Sequence, residues 1–81
     1  MVTVSFLVEE EKVERLKNAV SAVYAGKYSE AFLIREKRYD NETSVFVDYV
    51  LSDFGYSAYE RLKDRFIEDG ESPSILYWTI K

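Results

Sequence analysis

The chain has no histidine and no cysteine. Without histidine, no side chain titrates near neutrality from its ordinary value, and the commonest general base and metal ligand is gone. Without cysteine there is no thiolate nucleophile, no thiolate-bound zinc and no disulfide. The three glycines stand apart at Gly26, Gly55 and Gly70, so no glycine-rich loop is present to cradle a phosphate. A single proline, Pro73, and the lack of low-complexity stretches leave no linker. No apolar run approaches the roughly 18 residues of a membrane span. The opening stretch, Met1 to Glu11, lacks the basic start of a secretion signal. Nucleophile elbows of the Gly-x-Ser-x-Gly type and Asp-x-Asp-x-Asp-Gly calcium loops are also missing. From these absences the expectation is a cytoplasmic protein that is not an enzyme and carries no cofactor, metal or disulfide.

What is present is a small core. The 81 residues are 47% hydrophobic and 32% charged, which fits one globular domain over residues 1–81. Aromatics make up 16%, and large rings fill a small core efficiently. The formal charge of −4 disfavours duplex DNA and anionic membranes, both of which need a basic footprint.

The order of hydrophobic periods predicts the fold. Val2, Val4, Phe6 and Val8 alternate with smaller or more polar neighbours, as in a half-buried strand. Glu9, Glu10 and Glu11 open a helix whose apolar face carries Val13, Leu16, Val20 and Val23, with Ala19 and Tyr24 at its border. Gly26 is expected just past its end. A second strand runs from Tyr28 to about Tyr39, a polar turn covers 40–43, and Ser44 to Ser52 form a third strand. Ser57 and Glu60 have capping-box spacing for a second helix, with Ala58, Tyr59, Leu62, Phe66 and Ile67 facing inward and Gly70 ending it. Ile75 to Ile80 make the last strand. This is an α+β pattern, the ferredoxin-like β-α-β-β-α-β plait, with a four-stranded antiparallel sheet and both helices on one face. Many unrelated functions share that plait.

An even-numbered turn in the hairpin makes paired positions sum to 83. Ile34 then faces Tyr49, Phe32 faces Leu51, and both join Val45, Val47, Tyr49 and Leu51 on the core side. The opposite, uncovered face receives Leu33, Arg35, Lys37, Phe46, Asp48 and Val50, with Thr3, Ser5 and Leu7 from the first strand and Ile75, Tyr77 and Thr79 from the last. Arg35 lies opposite Asp48, and Lys37 opposite Phe46. An apolar patch with charged residues around it marks an interface, with a second copy or another protein as partner.

The second candidate site is an acidic end. The end of the first strand, the hairpin turn and the end of the second helix meet at one pole. That pole gathers Glu9, Glu10, Glu11, Asp40, Glu42, Glu68, Asp69 and Glu71. Carboxylates suit a helix start, but Glu68 and Asp69 stand near a helix end, where they are mildly unfavourable. A basic partner or a weakly held divalent cation would account for them, and the plainer alternative is a solvated charged end that aids solubility.

RNA-recognition domains share this topology, and their third-strand motif needs a basic residue, a glycine and aromatics, ending in Phe-Val-x-Tyr. In the octamer from Glu42 to Tyr49 only the second half fits, and Thr3 stands where the first-strand aromatic belongs. The chain is not assigned to them. Three readings follow. The first is a small acidic protein-binding module, an inhibitor or adaptor that engages a basic surface of a nucleic-acid-handling protein. The second is a stable scaffold without activity, natural or designed. The third is a weak single-strand nucleic-acid binder that uses Phe46 and Tyr77 beside Arg35 and Lys37.

Overall fold

The computed structural model describes residues 1–38, 43–67 and 75–80; of Phe66, Ile67, Ile75, Leu76 and Tyr77 it describes the backbone alone. The elements are β1 (Val2–Glu9), a 3-10 turn (Glu10–Lys12), α1 (Val13–Val23), β2 (Ala31–Arg38), β3 (Ser44–Leu51), α2 (Tyr56–Ile67) and β4 (Ile75–Ile80). The sheet order is β2-β3-β1-β4 and every neighbouring pair is antiparallel, which is the ferredoxin-like plait. No helix among the described residues is long and apolar enough to cross a membrane.

Alternation in β1 and β3 builds one wall of the core. Val4, Phe6 and Val8 are buried beside Val45, Val47, Tyr49 and Leu51. Val13, Leu16, Ala19, Val20 and Tyr24 of the first helical segment close over them, joined by Ala58 and Leu62 of α2. Phe6 stands edge-on to both Tyr49 and Phe54, at centroid distances of 6.3 and 5.5 Å. Phe54 continues the series to Trp78 at 4.8 Å, and Trp78 to Tyr59 at 5.7 Å. Phe54 lies in the connection between β3 and α2. It has no periodic neighbours, so hydrophobic periodicity does not single it out as a core residue.

The helix ends differ from expectation. The acidic triplet does not begin an α-helix directly: Glu9 ends β1, and Glu10 and Glu11 start a 3-10 turn with no side-chain cap. α1 ends at a Tyr24 cap whose backbone N–H bonds the Val20 carbonyl. Gly26 therefore sits beyond the C′ position, in a turn bridged to Ser29. Tyr24 also donates its hydroxyl to the Asp53 carbonyl, tying that helix end to the β3–α2 connection. Ser57 is not a cap. α2 begins one residue earlier, the Tyr59 N–H bonds the Gly55 carbonyl at 3.0 Å, and Glu60 pairs with Lys63 at 3.2 Å instead of reaching back. Gly70 and Pro73 lie outside the described residues.

The hairpin register needs the main correction. Arg35↔Asp48, Glu36↔Val47, Lys37↔Phe46 and Arg38↔Val45 follow the expected pairing, but the register shifts by one between Leu33 and Arg35. Leu33 then faces Tyr49 and Phe32 faces Val50, leaving Ile34 as the extra residue of a bulge. Phe32 and Ile34 are not core residues; they are 56% and 54% exposed. β2 is an edge strand that contributes only Ala31 to the core, and α1 reaches it through a Lys17–Glu36 ion pair. Three successive apolar residues carry no alternation, so nothing in 32–34 opposes a one-residue shift. A second shift, between Leu7 and Val8, pairs Ile75 with Val8 where Tyr77 pairs with Leu7.

Among the described residues, four groups are moved from their ordinary ionisation, all upward. Burial pushes the Tyr24 and Tyr49 phenols above the ordinary tyrosine value of 10.0. Hydrogen bonds to Glu36 and Glu60 hold the Lys17 and Lys63 ammonium groups above 10.5. In each case the unfolded chain loses its proton first. The stabilisation is therefore complete below the unfolded value and is lost as pH rises through the folded one. Melting temperature should stay level up to about pH 9.5 and fall above about pH 10. Tyr24→Phe and Tyr49→Phe should each make that fall shallower. A melting temperature that holds through about pH 11 would contradict these shifts.

Candidate functional site: the uncovered sheet face

Every residue that β1 and β3 turn away from the helices belongs to one surface. In β1 these are Thr3, Ser5, Leu7 and Glu9; in β3 they are Val50, Asp48, Phe46 and Ser44, directly opposite in that order. Phe46, Val50, Leu7 and Thr3 are half-buried, as expected for a sheet face that neither helix covers. Ser5 and Asp48 are different. They are buried at the centre of this face, Asp48 with only 5% exposure.

Three strands make that burial tolerable. The Ser5 hydroxyl donates to Asp48 Oδ1 at 2.5 Å. Arg35 donates from Nε at 3.1 Å and from Nη2 at 2.9 Å to the other oxygen, Oδ2. A buried carboxylate costs several kcal/mol unless paired and hydrogen-bonded, and here both oxygens are engaged. Among the described residues no buried side-chain polar atom lacks a partner. The ladder that starts at the turn sets Arg35 across from Asp48, and the bulge at Ile34 begins just beyond that pair.

Of the residues expected here, Arg35, Lys37, Phe46, Asp48 and Val50 share the face. Leu33 does not: it pairs with Tyr49 on the helix side, and Phe32, opposite Val50, takes its place. Tyr77 pairs with Leu7 in the β1–β4 register. Ser5 is the residue that sequence reasoning underrated. Its role depends on the β1–β3 register, which joins strands 43 residues apart and which no hairpin turn fixes.

The acidic end is partly described. Glu9 pairs with Ser44, and the Glu10 N–H bonds the Thr43 carbonyl at 2.6 Å, so the end of β1 meets the start of β3 as expected. Glu9, Glu10, Glu11 and Thr43 line an open depression of about 670 Å³. Glu10 is drawn to Arg38 at 2.8 Å. No three acidic groups among the described residues converge on a metal-sized space. Asp40, Glu42, Glu68, Asp69 and Glu71 lie outside the described residues.

No protein-family model matches the chain, and neither does any curated protein or solved structure.

Proposed function

We propose that this chain is a protein-binding module that works through its uncovered sheet face. The observation that carries this reading is the Ser5–Asp48–Arg35 cluster, a buried polar centre framed by the half-exposed apolar side chains of Leu7, Phe46 and Val50. Interfaces concentrate their energy in such places, where an arginine and aromatic residues sit inside a ring that excludes water. A surface of scattered apolar residues needs no buried ion pair at its middle. The lack of histidine and cysteine leaves binding, as inhibitor or adaptor, as the role this face fits.

The test is contact mapping in the native setting. A photoreactive benzoylphenylalanine placed at Phe46 should give covalent adducts of discrete mass in cells. The same group placed at the exposed Tyr56, at the start of α2, should not. Phe46→Ser in the chain carrying the label at Val50 should remove those adducts. Its stability cost should stay near 1 kcal/mol, because Phe46 is only half-buried. Light scattering tells a partner from a second copy, since self-association doubles the mass. Adducts that arise equally from both labelled positions, or from neither, would refute the reading.

A further inference from the structure

We infer that the outward edge of the Arg35 guanidinium is a preformed receptor for a carboxylate, presented among apolar side chains by a segment of a protein partner. The inference rests on the proposed binding role of the uncovered face and names the group that the face recognises.

A guanidinium carries five N–H donors in a planar fork. Arg35 spends Nε–H and one Nη2–H on Asp48 Oδ2. One N–H of Nη1 and the second of Nη2 form the terminal edge, while the other N–H of Nη1 points back beside Cδ. That terminal edge is a second fork whose spacing matches the two oxygens of a carboxylate. The side chain is 59% exposed, so the edge is open to a partner. It is also held in place. Asp48 is buried and anchored on its other oxygen by Ser5, so the group that orients Arg35 is itself fixed. A long side chain immobilised before binding avoids roughly 0.5–1.5 kcal/mol of ordering cost at the moment of contact.

Charge selects the occupant. Asp48 neutralises Arg35 internally, but a bidentate carboxylate gains charge-assisted hydrogen bonds that a neutral amide lacks. The frame around it, with Phe32 across from Val50 and with Phe46 and Leu7 close by in register, favours apolar neighbours for that carboxylate. Nucleic acid fits less well. Phosphate backbones are held by several cations at once, and among the described residues this face adds only Lys37 to Arg35 in a chain of net charge −4.

The test uses the full chain, isotopically labelled for NMR, and three probes. They are the pentapeptide acetyl-Phe-Asp-Leu-Asp-Phe-amide, its counterpart with Asn in both Asp positions, and octathymidylate. The Asp peptide should shift the Arg35 Nε–Hε resonance and the Leu7, Phe46 and Val50 amides, with half-saturation near about 1 mM or below. The Asn peptide should bind at least about five-fold more weakly. Arg35→Met should abolish the difference. Arg35→Lys, which keeps the charge but not the fork, should shrink it, and it stands in if the methionine variant does not fold. Asp48→Asn should weaken the Asp peptide several-fold by loosening the guanidinium. Equal responses to the Asp and Asn peptides at these amides would overturn the carboxylate receptor yet leave the binding face standing. No response there to either peptide would overturn both. Tighter binding of octathymidylate, weakening steeply with salt, would replace the inference with single-strand recognition.

Discussion

Phe6→Ala should leave the chain largely unfolded at body temperature. Phe6 is fully buried at the centre of β1 and stands edge-on to Tyr49 and Phe54. Truncating such a ring costs about 3–5 kcal/mol through lost transfer energy and the cavity left behind. The edge-to-face contacts add up to about 1 kcal/mol each. Against this stands a total stability of about 4–12 kcal/mol, from roughly 0.05–0.15 kcal/mol per residue over 81 residues. The melting temperature should therefore fall by about 15–30 °C. Phe6→Leu, which keeps most of the volume, should lose less than half as much. Urea titration with circular dichroism would check both. An alanine variant that melts within about 5 °C of the parent would mean that Phe54 and Trp78 collapse into the gap, and that the ring series is not the keystone of this core.

What was legible in the sequence follows how strongly each segment was constrained by burial. β1, β3 and α1 turn one apolar side to the core, so their periods of two and 3.6 stand out, and Val4, Phe6, Val8, Val13, Leu16, Val20, Val45, Val47, Tyr49 and Leu51 are buried as the pattern marks them. β4 falls on its expected bounds. The helix starts were harder to read because caps are local and interchangeable. Ser57 and Glu60 have the right spacing, but the chain enters α2 at Tyr56 with Gly55 supplying the first carbonyl. β2 was the least legible element. Only Ala31 of it packs into the core, so burial imposes no alternation on Phe32, Leu33 and Ile34, and their order alone does not reveal a bulge. The Arg35–Asp48 pairing was legible because the turn sets it from the near end of the hairpin. The burial of Asp48 was not, since its second oxygen is satisfied by Ser5 arriving from a distant strand.

Arg35→Met should destabilise the fold by about 2 kcal/mol, and adding Asp48→Leu should restore most of that loss. Removing one partner of a buried ion pair leaves the other charge uncompensated, at a cost of about 3–5 kcal/mol when both are buried. Asp48 is buried but Arg35 is more than half exposed, so water takes up part of the loss and the lower figure applies. Ser5 keeps one Asp48 oxygen satisfied in the Arg35→Met variant, whereas Asp48→Leu takes away the acceptor of the Ser5 hydroxyl, which is why the restoration is not complete. Replacing both members with apolar side chains removes the desolvation cost as well as the attraction, and such exchanges are often neutral or stabilising. Thermal melts of the parent, the two single variants and the double variant complete a mutant cycle, with an expected coupling of about 1–3 kcal/mol. The double variant should also expose a larger continuous apolar face. It should then self-associate at concentrations where the parent keeps its own mass, as light scattering would read. If Arg35→Met melts with the parent, the guanidinium is not held by Asp48, and a fixed receptor on this face has no physical basis. If instead the double variant is the most stable of the four, then the ion pair costs the fold stability. Its place at the centre of the sheet is then explained by the register it sets after the bulge and by the polar group it presents to a partner.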